Sequence, residues 1–261
     1  ENAFLQKYLD NGSGKILPGA ALVGAGCGSY ELITLKGLSE IRRAEVIVYD
    51  DLIDEHLLEF APESCELIYA GKRSGRHSKA QEEINELLVE KALEGRYIVR
   101  LKGGDPYVFG RGGEEALALK VHGISVHEVP GVTSGIGLCG MAGIPVTHRG
   151  ASRGFHVITG HTADNLSPEV EEIRWKSYAK LDETFVFLMG LKSIDMITEK
   201  LMRYGKLSDT PVAVIHGENT DGTYVKLVGT LSDIAAKVKE VDFPSPAIIV
   251  VGEVASLELT D

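Results

Sequence analysis

Tyr97-Ile98-Val99-Arg100-Leu101-Lys102-Gly103-Gly104-Asp105-Pro106-Tyr107-Val108-Phe109-Gly110-Arg111-Gly112-Gly113-Glu114-Glu115 is the stretch that decides the fold. Its opening residues, Tyr97–Leu101, are β-rich and read as a strand. The chain then enters paired glycines, an aspartate and a proline, and a second glycine cluster opens a helical pattern over Gly113–His122. The same rhythm recurs on both sides of it. Strand-like runs at Ala20–Gly24, Glu45–Tyr49, Cys65–Tyr69 and Ser125–Val129 alternate with helical patterns at Leu32–Arg43 and Ala80–Leu93. Strands alternating with helices predict a mostly parallel sheet covered by helices.

Around Ile144-Pro145-Val146-Thr147-His148-Arg149-Gly150 the rhythm breaks. Strands are expected again at Gly154–Thr159, Thr184–Phe187, Pro211–Ile215, Thr223–Val228 and Ala247–Val251, with helices at Ser193–Tyr204 and Ser232–Val241. Adjacent strands without an intervening helix near the end predict a mixed sheet. The first eighteen residues read as a helical tail and a linker through Asn11-Gly12-Ser13-Gly14. The expectation is two α/β domains, residues 19–146 and 147–261, behind a tail of residues 1–18.

The formal net charge of -11 argues against a nucleic-acid binder, which needs cations to replace phosphate counterions. A local basic cleft for an anionic small molecule is compatible with it. Cys27, Cys65 and Cys139 form no CxxC pair, so they read as reduced thiols of a cytoplasmic protein. The histidines have no metal-ligand spacing, so no metal is expected. No apolar run reaches the length of a membrane span.

Three loops carry ligand signals. Val23-Gly24-Ala25-Gly26-Cys27-Gly28 joins a strand to a helix, but Ser29 stands where the dinucleotide fingerprint needs its third glycine. Asp50, after the second strand, suits a ribose hydroxyl; the alternative is a glycine turn that only packs strand against helix. In the Arg100–Glu115 block, Asp105 is either a ligand acceptor or a turn cap. In Pro130-Gly131-Val132-Thr133-Ser134, Thr133 or Ser134 caps the next helix while presenting hydroxyls and free N–H groups.

From about Gly19 to Leu257 the chain resembles the uroporphyrinogen-III C-methyltransferases, within the tetrapyrrole methylases. The resemblance is carried by Leu32-Ile33-Thr34-Leu35-Lys36-Gly37, Gly71-Lys72-Arg73, Gln81-Glu82-Glu83-Ile84-Asn85, the Arg100–Glu115 block, Ala142–Gly150 and Met189-Gly190-Leu191. It implies two α/β domains with S-adenosylmethionine folded in the cleft between them. It implies two methyl transfers to uroporphyrinogen III, giving precorrin-2 by way of precorrin-1 in siroheme or cobalamin synthesis. S-adenosylhomocysteine is then the other product. Cofactor contacts map onto Gly103, Gly104, Asp105, Val108, Thr133, Ser134, Met189 and Ala213, with Cys27 from the first loop and Gly217 near a one-residue insertion. The family's proton acceptor matches Asp50 and its proton donor Lys72. The chain departs from the family at Cys27 and Tyr30 (usually Pro), Ser29 (usually Asp) and Asp51 (usually Arg).

Eight substrate carboxylates need cations, and the candidates are Arg73, Arg76, His77, Lys102, Arg111, His148, Arg149 and Arg153. A homodimer is expected by analogy with the family, and apolar segments such as Gly135–Ile144 either supply part of a buried interface or belong to the core. Two rival readings are a nicotinamide-dependent dehydrogenase using Gly24–Gly28 and a non-catalytic tetrapyrrole-binding protein.

Overall fold

Strand β4 (Tyr97–Lys102) is buried along its whole length, as a strand must be when both faces of its sheet are covered. The structure, a computed structural model, describes residues 18–71, 81–160, 167–217, 224–257 and 259. These divide into two compact units, one running to Thr133 and one beginning at Ser134. The tail and linker expected over the first residues lie outside the described residues, Pro18 apart.

In the first unit β4 is central to a sheet with β1 (Gly19–Gly24), β2 (Val46–Tyr49), β3 (Glu66–Tyr69) and β5 (Val126–Val129). The order is β3-β2-β4-β1-β5, and every pair is parallel. Alternate side chains face opposite sides of the sheet. Tyr97, Val99 and Leu101 join Ala21 and Val23 beneath helix α1 (Leu35–Arg42), through its Ile41. Ile98 joins Ala20, Val46 and Val48 beneath α2 (Gln81–Leu93) and α3 (Gly112–Val121), through Leu88 and Leu119. Ile41, Leu88 and Leu119 have no exposed surface, so each burial contributes about 1.5–3 kcal/mol. Thr34 starts α1 by accepting a hydrogen bond from the Gly37 amide at 3.0 Å.

The second unit opens with α4 (Ser134–Met141). Its sheet holds β6 (Phe155–Thr159), β7 (Thr184–Leu188), β8 (Pro211–Gly217), β9 (Tyr224–Thr230) and β10 (Ile248–Val251) in the order β6-β7-β10-β8-β9. Only β6 and β7 pair in parallel; the other pairs are antiparallel, which gives the expected mixed sheet. Helices α5 (Pro168–Lys180), α6 (Ile194–Arg203) and α7 (Ile234–Glu240) cover a core built on Trp175, Phe185, Phe187, Ile197, Leu201 and Ile249.

Two features differ from the expectations. Helix α4 packs on β7, β8 and β10, so it and the irregular stretch around Ile144–Gly150 belong to the second unit. Of the two readings of Gly135–Ile144, core and interface, the burial of Gly135, Leu138, Cys139, Ala142 and Ile144 supports the core. Helix α5 was not anticipated: its pattern is dominated by charge, although Ser167 accepts from the Val170 amide at 3.4 Å and Pro168 occupies the first turn.

Candidate active site

Because the first sheet is wholly parallel, the carboxyl ends of its strands share one edge. β1 leaves through α1 toward β2 on one face, and β4 leaves through α3 toward β5 on the other. Adjacent strands whose connections run opposite ways make a switch point, where ligands of open α/β sheets bind. The loops after β1, β4 and β5 meet there. The Gly104 amide donates to the Gly26 carbonyl at 2.7 Å, and the Ala25 amide to the Lys102 carbonyl at 2.8 Å. A Cβ on Gly131 would lie 2.0 Å from the Gly104 carbonyl oxygen, and one on Gly24 would lie 2.5 Å from the Gly131 Cα. Only glycines permit this interlock.

Asp105 ties two of these loops together. Its Oδ1 accepts from the Tyr107 amide at 2.8 Å and its Oδ2 from the Gly131 amide at 3.2 Å. The turn-cap reading of Asp105 therefore holds, and the cap also spans to the loop bearing Thr133. Beyond it, Phe109 (φ 54°) and Arg111 (φ 58°) are non-glycine residues in left-handed backbone, a conformation that stores strain. Val108 is half-buried, and Tyr107 and Phe109 are exposed.

The first glycine loop does not open an α-helix. Gly26 (φ 82°) and Gly28 (φ 86°) lead into a 3-10 turn, Tyr30–Leu32, capped by Ser29, and α1 begins only at Leu35. A dinucleotide pyrophosphate needs the helix N-terminus directly behind its glycines, so the nicotinamide reading loses its structural basis. Cys27 is buried in this loop.

Asp50 follows β2. Its Oδ2 accepts from Arg100 Nη2 at 2.8 Å and its Oδ1 from the Leu52 amide at 3.2 Å. Asp51 accepts a hydrogen bond from the Tyr69 hydroxyl. Lys102 corrects the expectation of a cation free for substrate carboxylates. It is 5% exposed and donates to Glu115 Oε1 at 3.0 Å, because even-numbered residues of β4 face the α2–α3 side. Burial and the neighbouring Arg100 push the Lys102 ammonium below its ordinary range, and Glu115 opposes them. Arg111 is exposed and forms a double hydrogen bond with Glu114. Lys72, Arg73, Arg76 and His77 lie outside the described residues.

In the second unit Met189 follows β7 with φ 55° and is 47% exposed, on a backbone turn beside Gly190. Ser134 begins α4 and is half-buried. Gly217 ends β8 where α4 crosses it; a Cβ there would meet Leu138 Cδ1 at 2.8 Å. Ala213 lies mid-strand between Val250 and Val228 with no exposed surface, so its side chain offers nothing to a ligand. His148, Arg149 and Arg153 are exposed on one tight turn closed by the His148–Ser152 pair.

Sequence reasoning missed Arg100 and Glu115. The signal was present: two cations spaced by two on a buried parallel strand share a face and demand a buried acid.

A uroporphyrinogen-III C-methyltransferase of Methanocaldococcus jannaschii is 49% identical over 247 residues, 94% of this chain and 98% of that one. A siroheme synthase of Actinobacillus pleuropneumoniae is 41% identical, and the match spans 98% of this chain and 51% of that protein. The crystal structure of the Thermus thermophilus uroporphyrin-III C-methyltransferase with S-adenosylhomocysteine is 38% identical, with a TM-score of 0.75 over 90% of this chain and 98% of that one. The family model of the tetrapyrrole (corrin/porphyrin) methylases matches residues 21–235, most of the chain, and the protein belongs to that family.

Proposed function

We propose that this protein transfers methyl groups from S-adenosylmethionine to carbon atoms of uroporphyrinogen III, giving precorrin-2 by way of precorrin-1. The observation that carries this reading is the 49% identity, nearly end to end, to an enzyme named for that reaction. The glycine-locked strand ends support it: they offer backbone polar groups, one carboxylate and exposed rings, a surface suited to a largely neutral nucleoside with one cationic sulfur.

Bound S-adenosylmethionine supplies a methyl group on a sulfonium, which leaves by in-line displacement. The protein's part is alignment and exclusion of water. Gly103, Gly104, Asp105 and Val108, with Thr133, Ser134, Cys27 and Met189, hold the cofactor. The electron-rich pyrrole carbon of the substrate is the nucleophile, and the ring system later loses a proton. Asp50 accepts that proton, directly or through water, and Lys72 donates one or holds a substrate carboxylate. His148, Arg149 and Arg153 supply exposed cations for substrate carboxylates, as Arg111 does on exchanging Glu114 for one of them. A homodimer and a cytoplasmic location complete the reading, with siroheme or cobalamin synthesis as the destination of the product.

Incubation with methyl-labelled S-adenosylmethionine and freshly made uroporphyrinogen III tests it. Two labelled methyl groups per tetrapyrrole are expected. Tight binding of uroporphyrinogen III with no label transferred would instead favour a non-catalytic tetrapyrrole-binding protein.

A further inference from the structure

Glu115, in the first turn of α3, is fully buried. Its Oε1 accepts from Arg100 Nε at 3.1 Å, Lys102 Nζ at 3.0 Å and Gln81 Nε2 at 3.3 Å, while its buried Oε2 has no hydrogen-bond partner among the described residues. A buried carboxylate is strongly disfavoured unless cations offset its lost hydration, so its presence needs a reason beyond packing.

The reason lies in what Arg100 holds. Arg100 is 3% exposed, and Nη1 donates to the Val48 carbonyl at 3.2 Å and the Leu101 carbonyl at 3.0 Å. Nε faces Glu115, and Nη2 faces Asp50 at 2.8 Å. A planar guanidinium anchored on three sides has one orientation left, so the fourth contact is fixed in space. The charges alternate along the contacts Asp50–Arg100–Glu115–Lys102, and Lys102, the last residue of β4, lies at the same strand-end edge as Asp50.

We propose that Glu115 and Arg100 are positioning residues for Asp50: buried Glu115 fixes the Arg100 guanidinium, which holds the Asp50 carboxylate in one orientation at the strand-end edge. The inference rests on the proposed role of Asp50 in methyl transfer.

Glu115→Gln keeps the side-chain volume and one acceptor oxygen but removes the charge that balances two cations. In its crystal structure the Arg100–Asp50 contact should be lost. Its kcat should fall about 10- to 100-fold while the affinity for S-adenosylhomocysteine is unchanged. In an Asp50→Asn background the same substitution should cost no further kcat, because Glu115 acts only through Asp50. Arg100→Lys, which keeps the charge but cannot span Glu115 and Asp50 together, should reproduce the kcat loss and decides the matter if Glu115→Gln does not fold. An unbroken Arg100–Asp50 contact in Glu115→Gln, or equal kcat losses with and without Asp50→Asn, would overturn the proposal. The crystallographic arm stands even if the wild-type protein transfers no methyl group to uroporphyrinogen III, an outcome that strikes the functional reading alone.

Discussion

The two ends of the first sheet use charge in opposite ways. Near the amino ends of the strands, Glu40 accepts from the Tyr97 hydroxyl at 2.5 Å, from Arg43 Nε at 2.7 Å and from His127 Nε2 at 3.1 Å. Arg43 also donates to the Tyr97 hydroxyl at 2.7 Å and stacks over that ring. Every member of this cluster closes on another member. At the carboxyl ends, the Asp50–Arg100–Glu115–Lys102 series terminates in a carboxylate whose side chain is 23% exposed, and Glu115 carries an unpartnered oxygen among the described residues. A closed cluster stabilises the fold, whereas an open one keeps polar capacity for a ligand at some cost in stability. The same strands thus carry a closed charge cluster at one end and an open one at the other.

Three substitutions test that contrast. Gly131→Ala places a methyl group against the Gly104 carbonyl oxygen, a backbone atom that cannot step aside. It should cost about 3 kcal/mol of unfolding free energy and abolish calorimetric binding of S-adenosylhomocysteine. Wild-type stability and affinity would mean that the loop interlock does not organise the carboxyl end. Glu40→Gln should cost about 2 kcal/mol at pH 7 and leave kcat unchanged. Burial alone would raise the Glu40 carboxyl, but the hydrogen bonds from His127 and Tyr97 and the Arg43 charge prevail and hold it at about 2, down from 4.5. A depressed carboxyl contributes stability that is complete above its unfolded value and fades as pH falls. The difference between wild type and variant in denaturant titrations should therefore close between about pH 4.5 and 2. The smallest effect belongs to Asp105→Ala, with an affinity for S-adenosylhomocysteine about tenfold weaker and stability lowered by at most about 1 kcal/mol. A larger loss of stability than of binding would make Asp105 a structural clasp only.

The alternation of strands and helices was legible because periodicity is local: β1 to β5 and β6 to β10 fall on the β-rich runs read from the sequence. The strand-end loops were legible for the same reason, since glycine demands are written residue by residue. Partnerships between distant elements were not. Arg100 and Glu115 meet only once β4 and α3 pack: the spacing of Arg100 and Lys102 calls for a buried acid, but the sequence does not say which acid supplies it. Lys102 looked available because sequence gives its charge but not the face on which it points. Helix α5 was missed because its buried face rests on few residues, among them Trp175 and Ala179, amid Glu169, Glu171, Glu172, Arg174 and Lys176. The allegiance of α4 was hidden because its apolar composition suits either unit.

The position of β1 sets the timing of folding. It lies between β4 and β5, with Gly19 in register with Tyr97 and Ala20 with Val126. Both partners follow it by roughly 80 to 100 residues, so the sheet's earliest strand waits for its latest one. At about 5–20 residues per second that interval is on the order of 5–20 s. Throughout it the apolar run Ala20–Val23 has both hydrogen-bonding edges open. No shorter nascent segment closes this sheet, and such long-range pairing slows folding. The strand order therefore makes completion of the first unit a single late event, governed by the synthesis of β5.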